Sequence, residues 1–362
     1  MEQRFTVLDI FRGFFASMVF LFHLRPFAET VIVDNAFVDS AHMFVDFFFV
    51  LSGFVIAHKY EELSSWTDLA RFYKKRFLRV YPLHLFILIC FLLIELGKLP
   101  LSSYIHVNSM NNPNNSALTF FASLFLLNSF PIPGVRDLSW NIASWSISAE
   151  MTSYLVFGLA VIGINSMNIK GKRWLVYLAI FFALVAILIA ITGTFRLDYT
   201  FNYGFMRALI GFFNGVLCYV LYKKVHASLK ALNDSYFTIA ELLIFSVITV
   251  AICSNEEFKY IGLLYEPLFF ACIFVIAFEK GFISSQVKKV KLFHLAGKYS
   301  YSIYMTHTLL ISLFNIAFVR ILKFPPEAYW YLFAVNYILV FIVSSWTYKH
   351  IEARFYFRTN RV

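Results

Sequence analysis

Charge is what this sequence has least of. Asp, Glu, Lys and Arg make up 14% of its 362 residues, against roughly 25% in soluble domains. A chain this poor in charge cannot cover itself with a polar surface, which excludes an ordinary water-soluble domain. Cysteine is scarce too. Cys90, Cys218, Cys253 and Cys272 lie in or at the ends of apolar segments, with no C-x-x-C spacing and no neighbouring His cluster. Neither a zinc site nor a disulfide framework is expected from them, and no metal is expected elsewhere. They read as small buried hydrophobes. The N-terminus does not read as a signal peptide: its apolar run carries Arg12 near its start, closes on Leu24-Arg25-Pro26 and offers no small-residue cleavage site. There is no internal repeat, and the low-complexity sequence is confined to SMNNPNNS at 109–116.

What the chain does have is apolar bulk. Hydrophobic residues are 60% of it, aromatics 20%, and the mean hydropathy is +0.70. Ten segments are long enough to cross a bilayer: about 8–24, 42–58, 77–97, 141–163, 173–193, 205–222, 236–254, 260–280, 299–320 and 328–349. The expected fold is therefore an all-α polytopic membrane protein, with about ten transmembrane helices and residues 1–362 forming a single transmembrane domain. Segment 118–130 is apolar but too short to span, and Pro131 and Pro133 follow it. It reads as a short interfacial or re-entrant helix in a long loop, 98–140, and loops of that length usually carry function or are disordered.

The net charge of +10 points to membrane anchoring rather than to nucleic acid. With a cytoplasmic N-terminus, 23 of the 31 Lys and Arg residues fall on the inner side. Arg25, Lys98, Arg136, Arg196, Arg207, Lys259, Arg320 and Lys323 are left outside. The bias alternates loop by loop, which is the positive-inside pattern. Both termini are expected in the cytoplasm and loop 98–140 outside.

Ionisable groups within spans are costly, and by default they face a cavity or one another. Arg12 and His23 sit at the two ends of RGFFASMVFLFH, roughly 16 Å apart on a helix, Arg12 toward the inside and His23 toward the outside. His42 and Asp46 stand i and i+4 on one face of the second span. Glu150 lies in WSISAE, about three turns into the fourth, and His307, in YSYSIYMTH, at a similar depth in the ninth. Arg76 and Arg79 stand i and i+3 at the inner start of the third, in KKRFLRVYP. Structural alternatives exist for each: anchoring for the arginines, an arginine partner for Asp46, an ion pair for Glu150, simple solvation for His42 and a satisfied core position for His307. Ser52-Gly53 reads as a packing site. Arginines suit bidentate phosphate recognition, and a histidine suits general-base work. That polarity fits a group donor arriving from the cytoplasm and an acceptor arriving from outside.

At these residues the sequence resembles the acyltransferase 3 family of bacterial integral membrane O-acyltransferases. Arg12 and His23 match its Arg-x10-His motif. FVDFFFVLSGFVIA (44–57) resembles its second segment, with His42-Met43-Phe44 replacing the usual Gly-rich approach. RFLRVYP (76–82), WSISAE (145–150) and YSYSIYMTH (299–307) follow in family order, so the likeness covers residues 5–350. It implies transfer of an acetyl or other acyl group from cytoplasmic acetyl-CoA to a hydroxyl of a cell-surface polysaccharide, lipopolysaccharide or lipid-linked glycan, at a bacterial inner membrane. The expected catalytic residues are His23 as general base, with Asp46 or Glu150 orienting it; an acyl-His intermediate is the alternative. Arg12, Arg76 and Arg79 are expected to hold the CoA phosphates, and His42, Trp145 and His307 to contact substrate. Arg136 is expected to contribute acceptor selectivity from its position in the outer loop. Many relatives add an SGNH-type domain after the bundle, whereas this chain ends at Val362 and is expected to stand alone. The partners implied are acetyl-CoA, an envelope glycan and the lipid bilayer, with a homo-oligomer left open. Readings from other classes are a proton-coupled transporter of a small solute or glycan precursor, and a scaffold or sensor. A membrane glycosyltransferase is a further enzyme alternative, unsupported by any acidic loop motif.

Overall fold

A computed structural model of the protein describes residues 4–25, 30–101, 112–325 and 328–358. Among the described residues there is no β-strand, and ten helices are long and apolar enough to cross a membrane. We number them α1 (Thr6–Leu24), α2 (Ala41–Tyr60), α3 (Trp66–Lys98), α4 (Ile142–Ser166), α5 (Lys170–Thr192), α6 (Gly204–Lys230), α7 (Asp234–Cys253), α8 (Asn255–Ile276), α9 (Lys291–Phe318) and α10 (Leu332–Phe355). The protein is a multi-pass, all-α membrane protein. An even number of crossings returns the chain to the face it started from, so α1 and α9 begin on the face where α10 ends.

The third helix corrects the sequence reading at its start. It begins at Trp66 rather than near 77, because nothing between Trp66 and Pro82 breaks a helix and its Lys and Arg side chains reach water from the helix surface. Arg76 and Arg79 consequently sit well inside α3 and not at its start.

Glycines decide which helices meet most closely. Gly53 of α2 lies against the backbone of Phe212 on α6, and Gly215 of α6 lies against the carbonyl of Val50 on α2. Gly13 of α1 and Gly297 of α9 pack backbone to backbone in the same way. Lipid supplies no hydrophobic drive for helices to associate, so such small-residue contacts gain their energy from close van der Waals packing. Helix α6 is the central post, with 78% of its apolar window buried; α5, at 11%, lies against lipid. Gly193, at φ +67°, ends α5 in the left-handed conformation that glycine adopts at least cost.

Segment 118–130 is helical only up to Leu124, in the short helix Ala117–Leu124. Ser116 and Thr119 form a reciprocal capping box at its start. The hydroxyl of Tyr81 donates to the Leu124 carbonyl at 3.1 Å, and the His84 imidazole bonds the Ser123 carbonyl at 2.9 Å, so α3 carries this short helix. Residues 102–111 of the 98–140 loop, including 109–111 of its Asn-rich patch, lie outside the described residues.

Candidate active site

A cavity of about 490 Å³ opens on the face where α1 and α9 begin and runs inward between α1, α2, α3, α4 and α9. Its mouth holds Arg4, Asp9, Arg12, Lys298, Tyr348 and Glu352; its inner end is closed by Val45, Phe48, Ser146, Ile147 and Tyr304. Five cationic side chains line it against three carboxylates, so its field is net positive. The volume lies within the range of about 300–1,000 Å³ of small-molecule sites.

All three arginines expected to act together do line this cavity. Arg12 is held by α9: its Nε donates to Ser300 Oγ at 2.8 Å, and Asp9 lies 3.6 Å from its Nη2. Arg76 is 6% exposed, donates from Nη2 to the Tyr60 hydroxyl at 3.1 Å and stacks on that ring. Its Nε is buried without a partner. Glu150 lies in the same cavity, its Oε1 accepting from Ser52 Oγ at 2.8 Å and from the Tyr154 hydroxyl at 2.5 Å. Ser52 is thus a polar partner of Glu150, a correction to its reading as a packing residue; Gly53 keeps that role.

The two histidines come together. His307 Nε2 lies 3.1 Å from His23 Nδ1, and the ring centroids are 4.9 Å apart. His307 Nδ1 is 2.6 Å from the Tyr304 carbonyl, and His23 Nδ1 is 2.9 Å from that of Val19. The pair lies just past the inner end of the cavity, where the Tyr304 ring stands 5.9 Å from Phe48 on one side and 5.8 Å from His307 on the other. Among the described residues neither histidine lines the cavity itself. One layer of rings separates them from it.

Asp46 is placed elsewhere, and its expected role beside His23 needs correcting. Both its oxygens accept from Arg207, at 2.6 and 2.8 Å, and the two side chains are 0% and 2% exposed. Arg207 also donates to the Tyr199 carbonyl at 3.2 Å and lies over the Trp145 ring. Arg207 therefore belongs to the bundle interior and is not an outer anchoring charge. Trp145, expected at the substrate, packs against Gly204, Phe49 and Arg207 behind the cavity wall. His42 stands in a 3-10 turn before the α2 helix proper, its Nδ1 3.3 Å from the Asp39 carbonyl and its ring 5.1 Å from Phe22. Nearby, burial pushes the Asp198 carboxyl up, but hydrogen bonds from Arg196 together with the charges of Arg196 and Arg207 hold the group below the usual carboxylate range. Arg136 is exposed on the far loop, away from the cavity lining.

Sequence reading passed over Arg207, Tyr154, Tyr304 and Glu352. For Arg207 a signal was present: an arginine flanked by apolar residues in MRALIGFFNG sits too deep to serve as a loop anchor. Glu352 accepts from Ser302 Oγ at 3.1 Å inside the mouth. Among the described residues no group of three or more His, Cys, Asp or Glu is placed to hold a metal ion.

Ten spanning helices around a basic cavity that stops short of a histidine pair define a membrane-embedded protein with a net-positive cavity reaching into its core. A family model described as an acyltransferase domain matches residues 5–349, and the chain belongs to the acyltransferase 3 family. It is similar to the O-acetyltransferase OatA of Staphylococcus aureus, 23% identical over 376 residues that cover 95% of this chain and 56% of that protein. It is also similar to the acyltransferase MdmB of Streptomyces mycarofaciens, 33% identical over 133 residues, covering 36% of this chain and 31% of that one. A third relative, protein 2 in the picA locus of Rhizobium radiobacter, is 40% identical over 84 residues, 23% of this chain and 41% of its own. The chain spans just over half the length of the OatA relatives it matches. No solved structure matches it.

Proposed function

We propose that the protein is an O-acyltransferase that takes an acyl group, acetyl first among them, from acyl-CoA on the cytoplasmic side. The acceptor is a hydroxyl of an envelope glycan or its lipid-linked precursor, reached from the other side of a bacterial inner membrane. The observation that carries this reading is the net-positive cavity lined by Arg12, Arg76 and Arg79. Arg12, Arg76 and Arg79 are the residues to hold the donor's phosphates. A pantetheine arm reaches roughly 15–20 Å when extended, close to the roughly 16 Å rise from Arg12 to His23 along α1. The excess of Lys and Arg on the face of the cavity mouth supports placing that face, and both chain ends, in the cytoplasm.

His23 is the base in this reading. It takes the proton of the acceptor hydroxyl as that oxygen bonds to the thioester carbonyl carbon. The carbon–sulfur bond then breaks, and His23 returns the proton to the departing thiolate. For the thioester to reach His23, the Tyr304 and Phe48 rings must part. Glu150, tied to Ser52 and Tyr154, shapes the cavity wall rather than the imidazole. The test is purified protein in nanodiscs with radiolabelled acetyl-CoA and an envelope glycan fraction. Label moving to glycan supports the reading; solute flux without acyl transfer would replace it with a transporter.

A further inference from the structure

The geometry around His307 assigns it a task that rests on the acyltransferase reading: we propose that His307 is a positioning residue that fixes which nitrogen of His23 does the chemistry. A carbonyl oxygen only accepts hydrogen bonds, so His307 Nδ1, 2.6 Å from the Tyr304 carbonyl, carries that ring's proton. A neutral imidazole has one N–H, so His307 Nε2 is a bare acceptor. It faces His23 Nδ1 at 3.1 Å, and the Val19 carbonyl faces the same atom at 2.9 Å. Two acceptors converge on His23 Nδ1, and that atom must be the donor. The opposite assignment would set lone pairs against each other at both carbonyls.

The consequence is chemical. With its proton fixed on Nδ1, neutral His23 holds its free lone pair on Nε2, the nitrogen for which no protein partner is recorded among the described residues. Nε2 is therefore the atom that accepts the acceptor hydroxyl's proton and later gives it to the thiolate. While His23 carries both protons, its Nδ1–H bond to His307 becomes charge-assisted and stronger. His307 thus does with a neutral ring what a carboxylate does in a hydrolase triad, orienting the base and favouring its working tautomer. Its own anchor is Tyr304, three residues earlier, whose ring closes the cavity; one helical turn therefore carries both the partition and the orienting group.

The test reads the tautomer and the kinetics separately. Nitrogen NMR of 15N-histidine-labelled protein, with His23→Gln used to assign the signal, should show His23 protonated at Nδ1 and bare at Nε2. His307→Leu, which removes the acceptor, should populate the other tautomer and lower kcat roughly 10- to 1,000-fold, with the KM for acetyl-CoA unchanged. His307→Gln, whose carbonyl oxygen replaces the accepting Nε2, should restore most of kcat. A wild-type spectrum with His23 protonated at Nε2, or a His307→Leu protein with an unaltered tautomer and full kcat, overturns the assignment. Because the spectrum needs no turnover, absence of acyl transfer would count against the proposed function while leaving the tautomer assignment to its own result.

Discussion

His307 and His23 stand with Nε2 and Nδ1 3.1 Å apart although 284 residues separate them in the chain. The contact exists because α1 and α9 approach at their glycines, Gly13 against Ala296 and Gly297, about three turns nearer the cavity mouth. Close backbone packing at that point fixes the register of the two helices. It sets Arg12 beside Ser300 and His23 beside His307, joining the mouth of the cavity to the far histidines through one helix pair.

The buried pair of Asp46 and Arg207 should govern stability rather than turnover. Breaking it from one side leaves an uncompensated buried charge, at a cost of about 3–5 kcal/mol. Arg207→Ala and Asp46→Ala should each melt well below wild type, and Asp46→Leu combined with Arg207→Met should recover much of the loss. Thermal unfolding in one detergent measures all three. A double variant no better than the singles would contradict this.

Arg76 should act on the donor. Arg76 lines the cavity, so Arg76→Ala should raise the KM for acetyl-CoA about tenfold or more, the worth of one charge-assisted hydrogen bond of roughly 1.5–3 kcal/mol. The kcat should change much less. Steady-state kinetics with acetyl-CoA varied gives the answer; lost kcat at unchanged KM would remove Arg76 from donor binding.

Phe48 and Tyr304 close the inner end of the cavity. Phe48→Ala should enlarge that end and relax selection for short acyl groups. The ratio of kcat/KM for butyryl-CoA to that for acetyl-CoA should rise about tenfold, on the scale of one to two methylenes in an apolar pocket. An unchanged ratio would mean that acyl length is chosen elsewhere.

Gly215 and Val50 test the helix packing. A Cβ at position 215 meets the Val50 carbonyl and the amide nitrogen of Phe54, so backbone rather than a movable side chain stands in its way. Gly215→Ala should lower stability by about 1–3 kcal/mol, the usual cost of overpacking. Gly163, with open space around it, is the control, and Gly163→Ala should be near neutral in the same melts.

Ten apolar runs of bilayer length announced the helices, because in lipid each span must close its own backbone hydrogen bonds. The gathering of Arg12, Arg76 and Arg79 was legible too, since all three were placed toward the inner ends of their spans. Pairings across helices were not. Asp46 had two candidate partners by depth, and only packing at Gly53 and Gly215 turns α6 so that Arg207 reaches it. The meeting of His23 with His307 likewise depends on the close contact at Gly13 and Gly297, which no spacing within either helix encodes. Trp145 looked like a substrate contact because it opens a motif, yet its ring covers Arg207.

The most direct measurement is transfer of radiolabelled acetyl from acetyl-CoA to an envelope glycan by purified protein, comparing wild type with His23→Ala at equal folded concentration. The account expects transfer by the wild type and a loss of about 10²–10⁴-fold in the variant, with acetyl-CoA still bound. Full transfer by His23→Ala would contradict it.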